Sequence, residues 1–126
     1  MLNGRTTVTK IYKFEACHHL PHYEGACHRL HGHSYKLEVT LTGKVKDNTS
    51  NSCGMIIDFK EVKTILELTA GKYDHSNLND FFENPTAEIM VEKIANDIVG
   101  FLPDNVSLVS ARLWETDTSY AEFIAE

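Results

Sequence analysis

The sequence predicts an α+β fold, an antiparallel sheet with two helices on one face, in the order β-β-α-α-β-β. Three observations predict it. Apolar and polar residues alternate near both ends of the chain, the signature of half-buried strands. Two segments in the middle carry helical spacing and capping residues. Strands and helices are segregated along the chain, as in helices packed on an antiparallel sheet.

The first strand runs from Thr7 to Cys17. Val8, Tyr12, Phe14 and Ala16 alternate with Thr7, Thr9, Lys13 and Glu15, and His18 follows in phase with Phe14 and Ala16. The residues from Pro21 to Leu30 read as a loop. The second strand, His33 to Gly43, places Tyr35, Leu37, Val39 and Leu41 on one face. The stretch KDNTSNSCG reads as a polar, hairpin-like turn. Asp58 caps the first helix, with Glu61 at capping-box spacing. Phe59, Val62, Ile65, Leu66 and Thr69 form its inner stripe. GKYDHSNLND is a loop. The second helix opens at NPTAE, with Pro85 in its first turn and Asn84 or Thr86 as cap. Met90, Val91, Ile94, Ile98 and Leu102 form its buried face, and Pro103 marks its end. Val106 to Glu115 and Tyr120 to Ile124 are the last two strands.

No repeat or linker divides the 126 residues, which are expected to form one domain spanning 1–126. Lys and Arg number 12 against 18 Asp and Glu, a net charge of -6. That balance argues against nucleic acid or an anionic membrane as partner. The N-terminus has no signal-peptide pattern and no apolar run reaches membrane length, so a soluble, cytoplasmic protein is expected. Cys17, Cys27 and Cys53 are an odd set, read as free thiols.

Six of the seven histidines lie between positions 18 and 33. Positions i and i+2 of a strand share a face, so His31 and His33 point together toward the side of Tyr35 and Leu37. Imidazoles there need a partner, and a metal supplies one. His18 is the natural third ligand if the first two strands pair. Three histidines leave one tetrahedral position open, as in catalytic zinc sites. The competing reading is a solvated His-Gly-His turn. His19, His22 and His28 are assigned no role.

Cys27 lies four residues before His31. Beside a dication its thiol becomes partly thiolate, able to act as nucleophile or general base. Asp74 and His75 sit in a polar loop where no packing demand explains them. A carboxylate next to an imidazole sets its tautomer and stabilises its cation, although an ordinary polar loop would also contain such residues. Glu115 shares a strand face with Val109, Ala111 and Leu113, where a carboxylate is costly without a partner. A ligand with two N–H donors would satisfy it, and so would water at the strand end.

FEACHHLPH, CHRLHGHSY, GMIIDFKEVK, YDHSNLND, NPTAE and WETDTSYAEF, in that order, resemble the 6-pyruvoyltetrahydropterin synthase / 6-carboxytetrahydropterin synthase family over almost the whole chain. The resemblance implies the tunnelling fold (T-fold) and a homohexamer, a dimer of trimers with active sites at subunit interfaces. It implies that His18, His31 and His33 hold Zn2+ and that Cys27, Asp74 and His75 form a catalytic triad. Glu115 would grip the pterin's amino-pyrimidine edge, and Thr86 would line the pterin pocket. The spacing CHRLHGH resembles the bacterial 6-carboxytetrahydropterin synthases of queuosine and deazapurine biosynthesis. A third branch, which cleaves dihydroneopterin, carries a glutamate where this chain has His28. Tyr73 and Cys17 depart from the family pattern.

The activity so implied converts 7,8-dihydroneopterin triphosphate to 6-carboxy-5,6,7,8-tetrahydropterin, acetaldehyde and triphosphate. It needs no external redox cofactor, in keeping with the lack of a nucleotide-binding glycine motif. Three rival readings are a 6-pyruvoyltetrahydropterin synthase, a non-catalytic zinc-binding assembly module, and a metal-dependent hydrolase. The module leaves Cys27, Asp74, His75 and Glu115 unexplained. The hydrolase lacks an HExxH motif.

Overall fold

The computed structural model describes residues 2–49, 51 and 53–126. The expected order of long strands and helices is present: β1 (Thr7–His18), β2 (His31–Gly43), α1 (Phe59–Ala70), α2 (Ala87–Val99), β4 (Val106–Thr116) and β5 (Ser119–Ile124). A short strand not foreseen in the sequence, β3 (Ser76–Asn77), pairs in parallel with β1. The sheet order is β3-β1-β2-β4-β5, and every other pairing is antiparallel.

One face of the sheet is covered by both helices. Phe14, Ala16, Tyr35, Leu37, Val39, Leu41, Ala111 and Leu113 meet Val62, Ile65, Leu66, Met90, Val91, Ile94 and Ile98 there in one core. Burying each large apolar side chain is worth about 1.5–3 kcal/mol, and this layer fixes which face each strand presents. Phe14 stacks on Tyr35 across β1 and β2, ring centroids 5.0 Å apart.

Several sequence expectations shift locally. β2 begins at His31, two residues earlier than its apolar alternation suggests, because Gly32 and both flanking histidines continue the pairing with β1. Asp58 caps α1 as expected, its carboxylate accepting from Lys60 N at 2.8 Å. Phe59, however, is half exposed; as the first helical residue it projects past the end of the core. Pro85 precedes α2 rather than lying in its first turn, and Thr86 is the cap. α2 ends at Val99, and Leu102 reaches the core from beyond it. The polar turn closes through Lys46 N to Met55 O at 2.9 Å and Gly54 N to Lys46 O at 2.8 Å. Ser50 and Ser52 of that turn lie outside the described residues.

Two irregularities re-aim β4. Pairing with β2 steps from Ser110 directly to Leu108, leaving Val109 as the extra residue of a bulge. Leu108 and Val106 then take the inner positions. Val109 therefore does not share the core face with Ala111 and Leu113, as strict alternation implied. Pairing with β5 steps from Trp114 to Thr116, leaving Glu115 unpaired. Such bulges re-orient a side chain beside a functional site.

Candidate metal centre and acid–base groups

The β1–β2 register places His18 opposite His31 and Ala16 opposite His33. His31 and His33 share the helix-side face with His18, and the three rings close on one another. Their centroids are 4.6, 4.8 and 5.0 Å apart, with planes inclined by 65° to 88°. Rings that meet at such angles present edges to a common point instead of stacking. One ligand atom from each of the three lies within 4.8 Å of the other two.

Backbone carbonyls set two of the tautomers. His18 Nδ1 lies 2.8 Å from Pro85 O, and His31 Nδ1 lies 2.7 Å from Arg29 O. A carbonyl only accepts, so each Nδ1 carries the proton and, in a neutral ring, each Nε2 carries a lone pair. Those two Nε2 atoms face each other at 3.1 Å. His33 Nε2 is buried without any hydrogen-bond partner. Two opposed lone pairs and a buried orphan nitrogen are costly together, and a cation shared by all three removes the cost. A tetrahedral zinc with Zn–N bonds of about 2.0–2.1 Å spaces its ligand nitrogens by about 3.3–3.4 Å, close to the His18–His31 separation. The residues fit such an ion, and the carbonyls supply the orienting bonds that metal-binding imidazoles need. Tyr35 OH adds a further contact to His18 Nδ1 at 3.3 Å.

Burial lowers the pKa of His18 and of His33 below the usual 6.5, outweighing the nearby Glu115 charge. Neutral imidazole is the ligand form. The sign of the pH effect follows. The unfolded chain takes up protons at these positions below about pH 6.5 while the folded chain resists. Stability of the metal-free protein is therefore expected to fall as pH drops from 7.5 to 5.5. The Asp74 carboxyl, held low first by the Glu15 amide, titrates below its ordinary 3.8 and lies outside that window. Thermal melts in chelator-treated buffer check this; a Tm flat across the window would mean that the folded histidines protonate freely.

Glu115 stands beside this cluster. Its carboxylate oxygens lie 3.6 Å from His33 Nε2 and 4.0 Å from His18 Nε2. The partner that sequence reasoning sought for this carboxylate thus includes the histidine cluster itself. The side chain is 30% exposed and also lines a cleft with Ala87, Glu88, Ser119, Tyr120 and Ala121. Thr86, one residue before Ala87, accepts from Ile89 N at 3.2 Å as the helix cap. Its hydroxyl proton remains free to donate.

Asp74 and His75 lie on the other side of β1. Asp74 Oδ1 accepts from Glu15 N at 2.9 Å and from His75 Nδ1 at 3.0 Å, and His75 N donates to Glu15 O at 2.6 Å. With Nδ1–H engaged, the His75 Nε2 is left as a base in an exposed ring. His75 has φ 58°, a conformation uncommon outside glycine and costly unless the surroundings impose it. Here both polar groups of Glu15 impose it.

Cys27 occupies a short 3-10 turn, Ala26–His28, held by Leu20 N to Cys27 O at 2.8 Å. Among the described residues no hydrogen bond joins its thiol to His75 or Asp74. One chain therefore assembles the Asp74–His75 pair but not the expected three-residue set. Cys17 lies on the face opposite His18, its thiol 3.6 Å from Ser76 O, away from the histidine cluster. The roles of the Pro85 and Arg29 carbonyls had no signal in the sequence, because a backbone carbonyl carries no residue signature.

Residues 7–126 match the family model described as 6-pyruvoyl tetrahydropterin synthase. The chain belongs to the 6-pyruvoyl tetrahydropterin synthase family. It is an enzyme of the lyase class. A 6-carboxy-5,6,7,8-tetrahydropterin synthase of Synechocystis sp. is 42% identical over 84 residues, 64% of this chain and 65% of that protein. A dihydroneopterin monophosphate aldolase of Pyrococcus furiosus is 36% identical over 86 residues, 68% and 70% of the two chains. The 6-pyruvoyl tetrahydropterin synthase of Caenorhabditis elegans superposes with a TM-score of 0.82 at 25% identity, over 98% of this chain and 97% of that one. The fold is the family's T-fold. Among the described residues no helix is long and apolar enough to cross a membrane.

Proposed function

We propose that this member of the 6-pyruvoyl tetrahydropterin synthase family is a zinc-dependent 6-carboxy-5,6,7,8-tetrahydropterin synthase. It acts in the cytoplasm, in queuosine or deazapurine biosynthesis, as a homohexamer of single-domain subunits. The substrates are 7,8-dihydroneopterin triphosphate and one water; the products are 6-carboxytetrahydropterin, acetaldehyde and triphosphate. The observation that carries the reading is the convergence of His18, His31 and His33 beside Glu115, one residue set for a cation and one for a neutral N–H-rich ligand.

A zinc ion held by the three histidines supplies Lewis acidity to oxygens of the substrate side chain. Glu115 receives two N–H donors from the pterin edge, and Thr86 offers its hydroxyl proton nearby. His75, oriented by Asp74, holds a proton on one face of the side chain, and the Cys27 thiolate takes one on the other. In one chain Cys27 makes no hydrogen bond to His75, which suits a site completed by a neighbouring subunit.

Cys27→Ala is expected to keep its zinc and its fold while turnover falls by roughly 10²- to 10⁴-fold, the usual scale for a lost acid–base group. Cys53→Ala, in the polar turn, should be nearly silent. Metal analysis with steady-state rates checks both; wild-type turnover in Cys27→Ala would overturn the assignment. The nearest rival is a 6-pyruvoyltetrahydropterin synthase, which releases no acetaldehyde.

A further inference from the structure

The open face of the sheet carries an unusual pairing. Lys13 and Lys36 are directly opposite each other in the β1–β2 register, on the face away from Phe14 and Tyr35. Directly opposed side chains of one face approach to about 4.5–5.5 Å at Cβ, and like charges there are destabilising. Glu15, Asp74 and Asp117 border the same cleft as this pair. Lys36 lies 3.5 Å from Glu38 and 4.6 Å from the centre of the Trp114 ring, so its ammonium is held in place. Lys13 makes no ion pair among the described residues.

Both lysines line a cleft of about 720 Å³ together with Asp74 and His75. Glu15, Ser34 and Asp117 also border it. Glu15 is engaged by Ser34 Oγ at 2.7 Å, and Asp74 by Glu15 N and His75. Among the described residues, Asp117 is therefore the cleft carboxylate without a hydrogen bond. The protein as a whole carries a charge of -6 and repels polyanions at long range. A polyanionic substrate then needs a local set of cations, and lysine ammonium groups suit phosphate oxygens.

We propose that Lys13 and Lys36, with His75 beside them, form the seat for the triphosphate tail of the substrate. The proposal rests on the pterin-triphosphate reading above and assigns the part of the substrate which that reading leaves unplaced. An opposed lysine pair costs stability in the free protein and recovers it when phosphate oxygens bridge the two ammonium groups.

The test is calorimetric titration of inorganic tripolyphosphate into zinc-loaded full-length protein. Wild type is compared with Lys13→Ala, Lys36→Met and Lys93→Ala, the last removing a lysine paired with Asp97 on α2. Lys13→Ala and Lys36→Met are each expected to weaken binding tenfold or more and to reduce its salt dependence. Lys93→Ala should bind as wild type does. Without the ligand, Lys13→Ala should melt no lower than wild type, since like-charge repulsion is relieved; a lysine with a purely structural role would melt lower. Unchanged affinity in both cleft variants, or equal weakening in Lys93→Ala, would overturn the seat. Turnover of dihydroneopterin triphosphate is read on the same samples. Lysine-dependent tripolyphosphate binding without turnover in wild type would keep the seat and remove the pterin reading. Turnover with lysine-independent binding would do the reverse.

Discussion

His33→Ala is expected to empty the metal site and abolish turnover together. His33 Nε2 is buried and has no hydrogen-bond partner, which suits a role as ligand to a cation. The opposed Nε2 atoms of His18 and His31 would keep two ligands, too few to hold zinc against a modest chelator. Loss of an outer-shell partner of a metal ligand costs about 10- to 100-fold in metal affinity or activity, and loss of the ligand itself should exceed about 100-fold in both. The fold should persist, because His33 lies at the end of β2 and the core layer from Tyr35 to Leu41 is untouched. Elemental analysis with circular dichroism checks this. Full zinc occupancy in His33→Ala would show that the three-histidine cluster is not the metal site.

Glu115→Gln should leave the metal in place and weaken pterin binding. The substitution keeps size but turns one acceptor oxygen into a donor, which then faces a ligand N–H. Loss of one charge-assisted bond and creation of that clash cost on the order of 2–4 kcal/mol. This converts to roughly 30- to 1,000-fold in affinity. Three histidines remain, so zinc content should hold. The carboxylate sits 3.6 Å from His33 Nε2, so the variant also removes a negative charge beside the ion, and any effect on the metal would appear in the same analysis. Titration of a non-reacting pterin separates the outcomes. Equal affinities in wild type and variant would leave Glu115 with a role toward the histidines alone.

Much of the histidine cluster was legible because two simple periodicities meet there. The two-residue alternation puts His31 and His33 on one face, and pairing of two adjacent strands brings His18 opposite His31. The same alternation failed at Val109, where a bulge shifts the phase of β4 without any glycine or proline to announce it. Glu115 was singled out as a carboxylate in need of a partner; its own bulge and its closeness to two imidazoles depend on pairing with β5 and could not be read from β4 alone. β3 is two residues long, too short to leave a pattern, yet it fixes Asp74 and His75 against Glu15. Phe59 kept helical phase but lies past the edge of the core, which only the packed helix reveals. Cys27 and His75 are far apart in sequence, and among the described residues no hydrogen bond joins them.

In the proposed reaction a zinc site built on His18, His31 and His33 processes a pterin triphosphate to its 6-carboxy product. Incubating the zinc-loaded protein with 7,8-dihydroneopterin triphosphate and identifying the products by mass tests it most directly, with chelator-stripped protein alongside. The expected result is 6-carboxytetrahydropterin with matching amounts of acetaldehyde and triphosphate from the loaded protein, and none from the stripped protein. Unchanged substrate, a 6-pyruvoyl product without acetaldehyde, or equal turnover after zinc removal would contradict it.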